Sequence, residues 1–176
     1  LQGDWSSDVC SSDLDGHISG GSALRIAAKS GDITNTGSIG SAGNMDIKSM
    51  VYQSSQTGQV LSKGAVKIEV DSFENAGTVQ SKSDIRIHAT DRLINQGAIS
   101  GDGVVNVESA TDIHNTDGHI SGGSALNIAA KSGDITNTGS IGSAGNMDIK
   151  SIQYQSSQTG HVQSNGQVKI EVDSFE

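Results

Sequence analysis

Eight glycines, at positions 16, 37, 58, 77, 97, 118, 139 and 160, recur every 19 to 21 residues. Two residues after each stands Ile or Val: Ile18, Ile39, Val60, Val79, Ile99, Ile120, Ile141 and Val162. The eighth residue after each is again apolar, from Leu24 and Met45 to Met147 and Val168, and the tenth runs from Ile26 and Ile47 to Ile149 and Ile170. At offsets four and six every residue is Gly or Ser. Even offsets point to one face of an extended chain, so two through ten predict a single inward face, with small residues where the chain bends. A helix needs apolar recurrence near 3.6, which this pattern lacks. A fixed period near 20 with strand alternation inside it predicts an all-β chain wound as a β-solenoid. No single coil can bury its apolar side. Stacked about 4.8 Å apart, the Ile and Val columns close into one core, each buried side chain worth roughly 1.5–3 kcal/mol.

A longer repeat contains the short one. Shifted by 102 residues, Asp15–Glu74 lies on Asp117–Glu176 with 53 of 60 positions identical. The exceptions are Arg25/Asn127, Met50/Ile152, Val51/Gln153, Gln59/His161, Leu61/Gln163, Lys63/Asn165 and Ala65/Gln167. Identity stops abruptly above Asp15: in Leu1–Leu14 only Ser7 meets its like, Ser109. That opening holds the chain's one Trp and one Cys, Trp5 and Cys10. It has neither the basic start nor the apolar run of a signal peptide. Back-translated, "DWSSDVCSSDL" is encoded by a string that looks like a short-read sequencing adapter. Residues 1–14 are therefore expected to be adapter-derived, disordered and outside the solenoid, and 15–176 to be the solenoid itself. Both ends read as fragment ends.

The turns carry their own signal. Asn35, Asn75, Asn95 and Asn137 stand two residues before their glycines, with Gln56 and Gln158 in that place elsewhere. Asn and Gly suit turns, and stacked amides can bond from coil to coil as a ladder. Asn115, in "NTDG", is one position out of step, which predicts a different turn in that coil. Outward positions carry the charges: stacking places Asp46 beside Arg25 and Lys67, and Lys48 beside Glu69. Exposed pairs of this kind give only about 0–1 kcal/mol and serve register.

At "NTGSIGSAGNMDIKS", "NAGTVQSKSDIRIHAT" and "NQGAISGDGVVNVESA" the chain resembles the haemagglutinin repeats of filamentous haemagglutinin-like exoproteins. These two-partner secretion proteins of Gram-negative bacteria include adhesins and contact-dependent growth inhibition effectors. The resemblance covers essentially Asp15–Glu176; "YQSSQTGQV" and "YQSSQTGHV" depart from it, with Gln for Asn. It implies a right-handed parallel β-helix of about eight coils, secreted and held at the cell surface as a long rod. It also implies export by a partner outer-membrane transporter, and a host or neighbouring-cell receptor as a second partner. Past Leu14 the chain has no Cys, and it has no Pro anywhere, which agrees with threading an unfolded chain.

Other chemistry finds little footing. The net charge of −9 argues against nucleic acid, and no stretch approaches the roughly 20 apolar residues of a membrane span. His17, His88, His114, His119 and His161 are scattered; the three that follow anchor glycines fall on coils one, six and eight, which predicts solvated histidines rather than a metal site. "SGDGV" and "SGGSAL" precede strands, not helices, which speaks against a phosphate loop. The competing class is a polysaccharide-cleaving β-helix enzyme, which needs long loops walling a groove; coil length here barely varies. Phe73 and Phe175 read as core, Tyr52 and Tyr154 stay open, and no catalytic, cofactor or metal residue is assigned.

Overall fold

The computed structural model describes residues 12–14 and 16–175, with side chains from 16 onward. All regular structure among them is β: 25 short strands in three parallel sheets, three strands to a coil. In coil two, Ile33–Asn35 lies on the first face, Ser38–Ser41 on the second and Met45–Lys48 on the third. Each strand pairs in parallel with its counterparts one coil before and after, so the first sheet has nine strands and the others eight. The molecule is thus a three-sided β-solenoid of eight coils.

The inward columns are those of the sequence pattern. Ile39, Val79, Ile99 and Ile120 are wholly buried, as are Ile47, Ile68 and Ile87 on the third face. Offset six differs. Gly43, Gly64 and Gly145 are only half-buried, because the chain bends there from the second face to the third and the alternation restarts after the corner. The residue that serves the corner is the serine at offset four. Ser62 is buried; its hydroxyl donates to the Gly43 carbonyl one coil back at 2.6 Å and accepts the Gly64 N–H at 3.2 Å. Ser81 repeats the arrangement with Gly64 and Ser83.

The anchor glycines answer to space rather than to backbone hand. No described glycine has a positive φ. A Cβ on Gly97 would lie 2.0 Å from the Gly77 carbonyl oxygen, and one on Gly139 would lie 2.1 Å from that of Gly118. Backbone stacks on backbone at this edge, and only glycine admits it.

Beside that edge runs a buried amide ladder. Asn75 Nδ2 donates to Asn95 Oδ1 at 2.9 Å, Asn95 to Asn115 at 2.8 Å and Asn115 to Asn137 at 2.8 Å. Asn115 keeps its rung although its turn is one residue longer. The extra residue is taken up at Asp117, the one described non-glycine with a left-handed φ, 56°. Gln56 and Gln158 do not enter the ladder. Both are exposed in turns two residues longer than the Asn turns, and the register sets Ser54 between Asn35 and Asn75.

The same register settles the aromatic residues. Tyr52 and Tyr154 point inward in the column of Ile33, Leu93 and Ile113, 0% and 1% exposed. Tyr52 stacks on Phe73 with ring centroids 5.4 Å apart. Phe73 is core as expected, but Phe175 is 63% exposed: among the described residues no further coil covers it. A second correction concerns Ser12–Leu14, expected outside the solenoid. They pair in parallel with Ile33–Asn35, since main-chain hydrogen bonding along a strand edge needs no side-chain match. Trp5, Cys10 and the rest of that segment lie outside the described residues.

None of the seven positions that differ between the two long copies is buried in either copy. The copies share one core and vary only outside it.

Candidate functional site

Apart from the uncovered inward residues of the last described coil, such as Val168 and Phe175, the core is closed, and the side chains able to meet a partner sit on the three outward faces or their corners. The third face carries the charges. Its register places Asp46 between Arg25 and Lys67, and Lys48 on Glu69. Lys48 pairs with Glu69, and Lys67 reaches the same carboxylate at 2.6 Å. The second copy repeats the cluster: Glu171 takes Lys169 and, at 3.0 Å, Lys150. Between them Glu108 takes Lys131, with His88 Nδ1 at 3.7 Å.

Five of these groups, Lys48, Glu69, Glu108, Lys150 and Glu171, are held away from neutral titration. Hydrogen bonds from Lys48 and Lys67 pull the Glu69 carboxyl down to about 2. Lys131 lowers Glu108, and Lys169 with Lys150 lowers Glu171. In return Lys48 and Lys150 are raised, first by their hydrogen bonds to those carboxylates. A general acid or base works best with a pKa near the working pH. Here carboxylates move down and ammonium groups move up, which locks charge in place and suits cross-coil ties rather than proton transfer.

The histidines are divided among the three faces. His17, His119 and His161 lie outward on the second face, His114 on the first and His88 on the third. Among the described residues no three His, Cys, Asp or Glu side chains gather as a metal site would require. No helix among them is long and apolar enough to cross a membrane. The tyrosines, unassigned from sequence, are interior and cannot stack on a sugar; burial pushes the Tyr52 phenol up to about 12.

The second face is different in kind. From Ser38–Ser41 to His161–Ser164 no outward strand residue is Asp, Glu, Lys or Arg. A shallow groove of about 450 Å³ crosses it over Gly40, with Ser19, Leu61 and Gln80 along its floor and Lys63 and Lys82 at its rim. Leu61 is 36% exposed, one of few large apolar side chains left outside. Sequence reasoning noted Leu61 only as a difference between copies; the bare face around it appears once the strands are in register. A second hollow, of about 280 Å³, lies on the third face over Asn106, Asn127 and Ala129. Neither is walled by a loop.

Comparison with curated proteins gives no match, and comparison with solved structures gives none. The haemagglutinin-repeat profile matches residues 12–131 and again 113–172, so nearly the whole solenoid is covered. The chain, a parallel three-sided solenoid with this repeat and with its charges tied between coils, belongs to the haemagglutinin-repeat family, whose members form rod-like, adhesin-type segments.

Proposed function

We propose that the chain is part of a large exoprotein of a Gram-negative bacterium, exported by a partner outer-membrane transporter and displayed as a rod. The rod holds an adhesive or growth-inhibiting module away from the cell and contributes no catalysis of its own. One observation carries the reading: eight coils of nearly constant length share one uninterrupted core, and no coil carries a long inserted loop. At about 4.8 Å per coil this segment supplies on the order of 40 Å of reach. The scarcity of Cys and the lack of Pro also support export as an unfolded thread, since nothing locks or slows the chain.

The test has two arms. In the parent exoprotein, removal of the 102-residue unit should shorten the displayed rod while leaving the chemistry at its tip unchanged. Purified chain should leave acidic polysaccharides intact. Robust lyase or hydrolase turnover, abolished by changing one surface carboxylate such as Asp148, would overturn the non-enzymatic reading and support a polysaccharide-cleaving β-helix instead.

A further inference from the structure

The second face has a shape that fits itself. Its outermost column runs up the coils through Gly40, Leu61, Gln80, Ser100, Ser121, Gly142 and Gln163, so the bulk of Leu61 and Gln80 before coil five is answered by the small Gly142 and Ser121 after it, and Gln163 by Gly40. At both glycines the space is open: a Cβ on Gly40 or Gly142 would meet nothing closer than 3.9 Å.

The geometry points to a lateral, antiparallel dimer of this chain through the second face, with Leu61 of each copy seated over Gly142 of the other. The required two-fold axis lies in the interface along strand Ala98–Gly101 in coil five. It sets coil three on coil seven, coil two on coil eight and coil four on coil six. Leu61 then meets Gly142, Gln163 enters the groove over Gly40, and Gln80 meets Ser121. Ser100 and Ala98, both small, meet their own copies on the axis. The neighbouring outward column follows the same rule, with Gln59 on Ser140 and Thr78 on His119. Each pair joins a large residue to a smaller one, as a self-complementary two-fold interface requires.

The alternative two-fold, with rods parallel, fails the same criterion. It sets Leu61 against Gln59 and Gln163 against His161, large on large, and leaves Gly142 facing Ser140 over a void.

Charge and area say why the occupant is a second copy. Two chains of charge −9 repel, and approach costs least on the face without fixed charge. The carboxylate that follows strand Ala98–Gly101 directly, Asp102 at the corner, is already tied to Lys82 at 3.3 Å. Seven overlapping coils cover about 34 Å by about 13 Å, roughly 900 Å² over both partners, which is the size of a weak, reversible contact. A partner without a 4.8 Å repeat could not keep register over that length.

The experiment is sedimentation velocity of the full chain under reducing conditions, over a concentration series into the high micromolar range. The parent should dimerise reversibly, and added salt should strengthen the dimer by screening repulsion. Leu61→Gly and Gly142→Leu should each weaken it by about a hundredfold, since the axis makes the contact twice. The double variant Leu61→Gly, Gly142→Leu should recover most of the loss, because one large residue again faces one hollow. Denaturation midpoints of the monomers track folding, and rescue by the double variant is an outcome misfolding cannot produce. A parent that stays monomeric overturns the proposal. So does self-association untouched by either single variant, which would be end-to-end, and so does a double variant weaker than both singles. Association that weakens with salt would also overturn it.

Discussion

Replacing Asn95 by Leu tests the amide ladder at its middle rung. Asn95 is fully buried. Its Oδ1 accepts from Asn75, and its Nδ2 donates to Asn115 Oδ1 at 2.8 Å and to the Gly97 carbonyl at 3.1 Å. Leucine fills nearly the same volume but offers neither donor nor acceptor. The Gly97 carbonyl keeps the His119 N–H at 2.8 Å, and Asn75 Nδ2 keeps the Gly77 carbonyl at 3.2 Å. Asn115 Oδ1 keeps nothing. Stranding a buried acceptor costs about 1–3 kcal/mol, and the lost bond from Asn75 adds about 1 kcal/mol. Better burial of the apolar side chain returns about 1 kcal/mol. The expected net loss is about 1–3 kcal/mol by urea titration. Asn115→Leu made together with Asn95→Leu removes the stranded oxygen, so the pair should cost less than the sum of the singles by at least about 1 kcal/mol. An Asn95→Leu chain as stable as the parent, or strict additivity in the cycle, would refute the claim that the ladder holds the coils.

Further expectations concern the core, the charges and the opening segment. Ile141→Asp places a carboxylate in the sealed interior and should cost several kcal/mol, while Ser140→Asp, pointing outward, should stay near parent; equal denaturation midpoints would contradict the face assignment. Glu69 has a folded pKa depressed to about 2, so its contribution is complete above its ordinary value and is lost as pH falls through about 2. Glu69→Gln should flatten that acid limb by less than about 1 kcal/mol, given its solvent exposure; an unchanged pH profile would show that the lysines do not hold it. We propose that residues 1–14 are adapter-derived, and an intact genomic read encoding "DWSSDVCSSDL" in frame would disprove it.

The period and face of the core were legible because the three inward columns at offsets two, eight and ten never break. Offset six misled, since alternation counts residues and cannot see the corner where a strand ends. Asn115 shows that an off-step residue can be recognised while its remedy stays hidden: the left-handed Asp117 is a backbone choice. Gln56 was misplaced for a related reason. Its turn holds two additional residues, so the residue in ladder register is Ser54, and Tyr52, two places earlier, falls into the core. The second face could not be read as a surface until pairing told which outward residues adjoin. Phe175 read as core because its copy Phe73 is, but burial depends on what is stacked above.

The two near-identical stretches, residues 15–74 and 117–176, differ nowhere inside, and this bears on how such a rod changes over generations. Cutting out residues 37–138 would seat coil seven on coil one, where coil two now presents the same buried side chains. Unequal exchange between the two stretches of gene therefore adds or removes five coils at a time, about 24 Å, without asking any coil to accept an unfamiliar neighbour. Rod length becomes a quantity that recombination can reset in fixed steps while the packing problem stays solved.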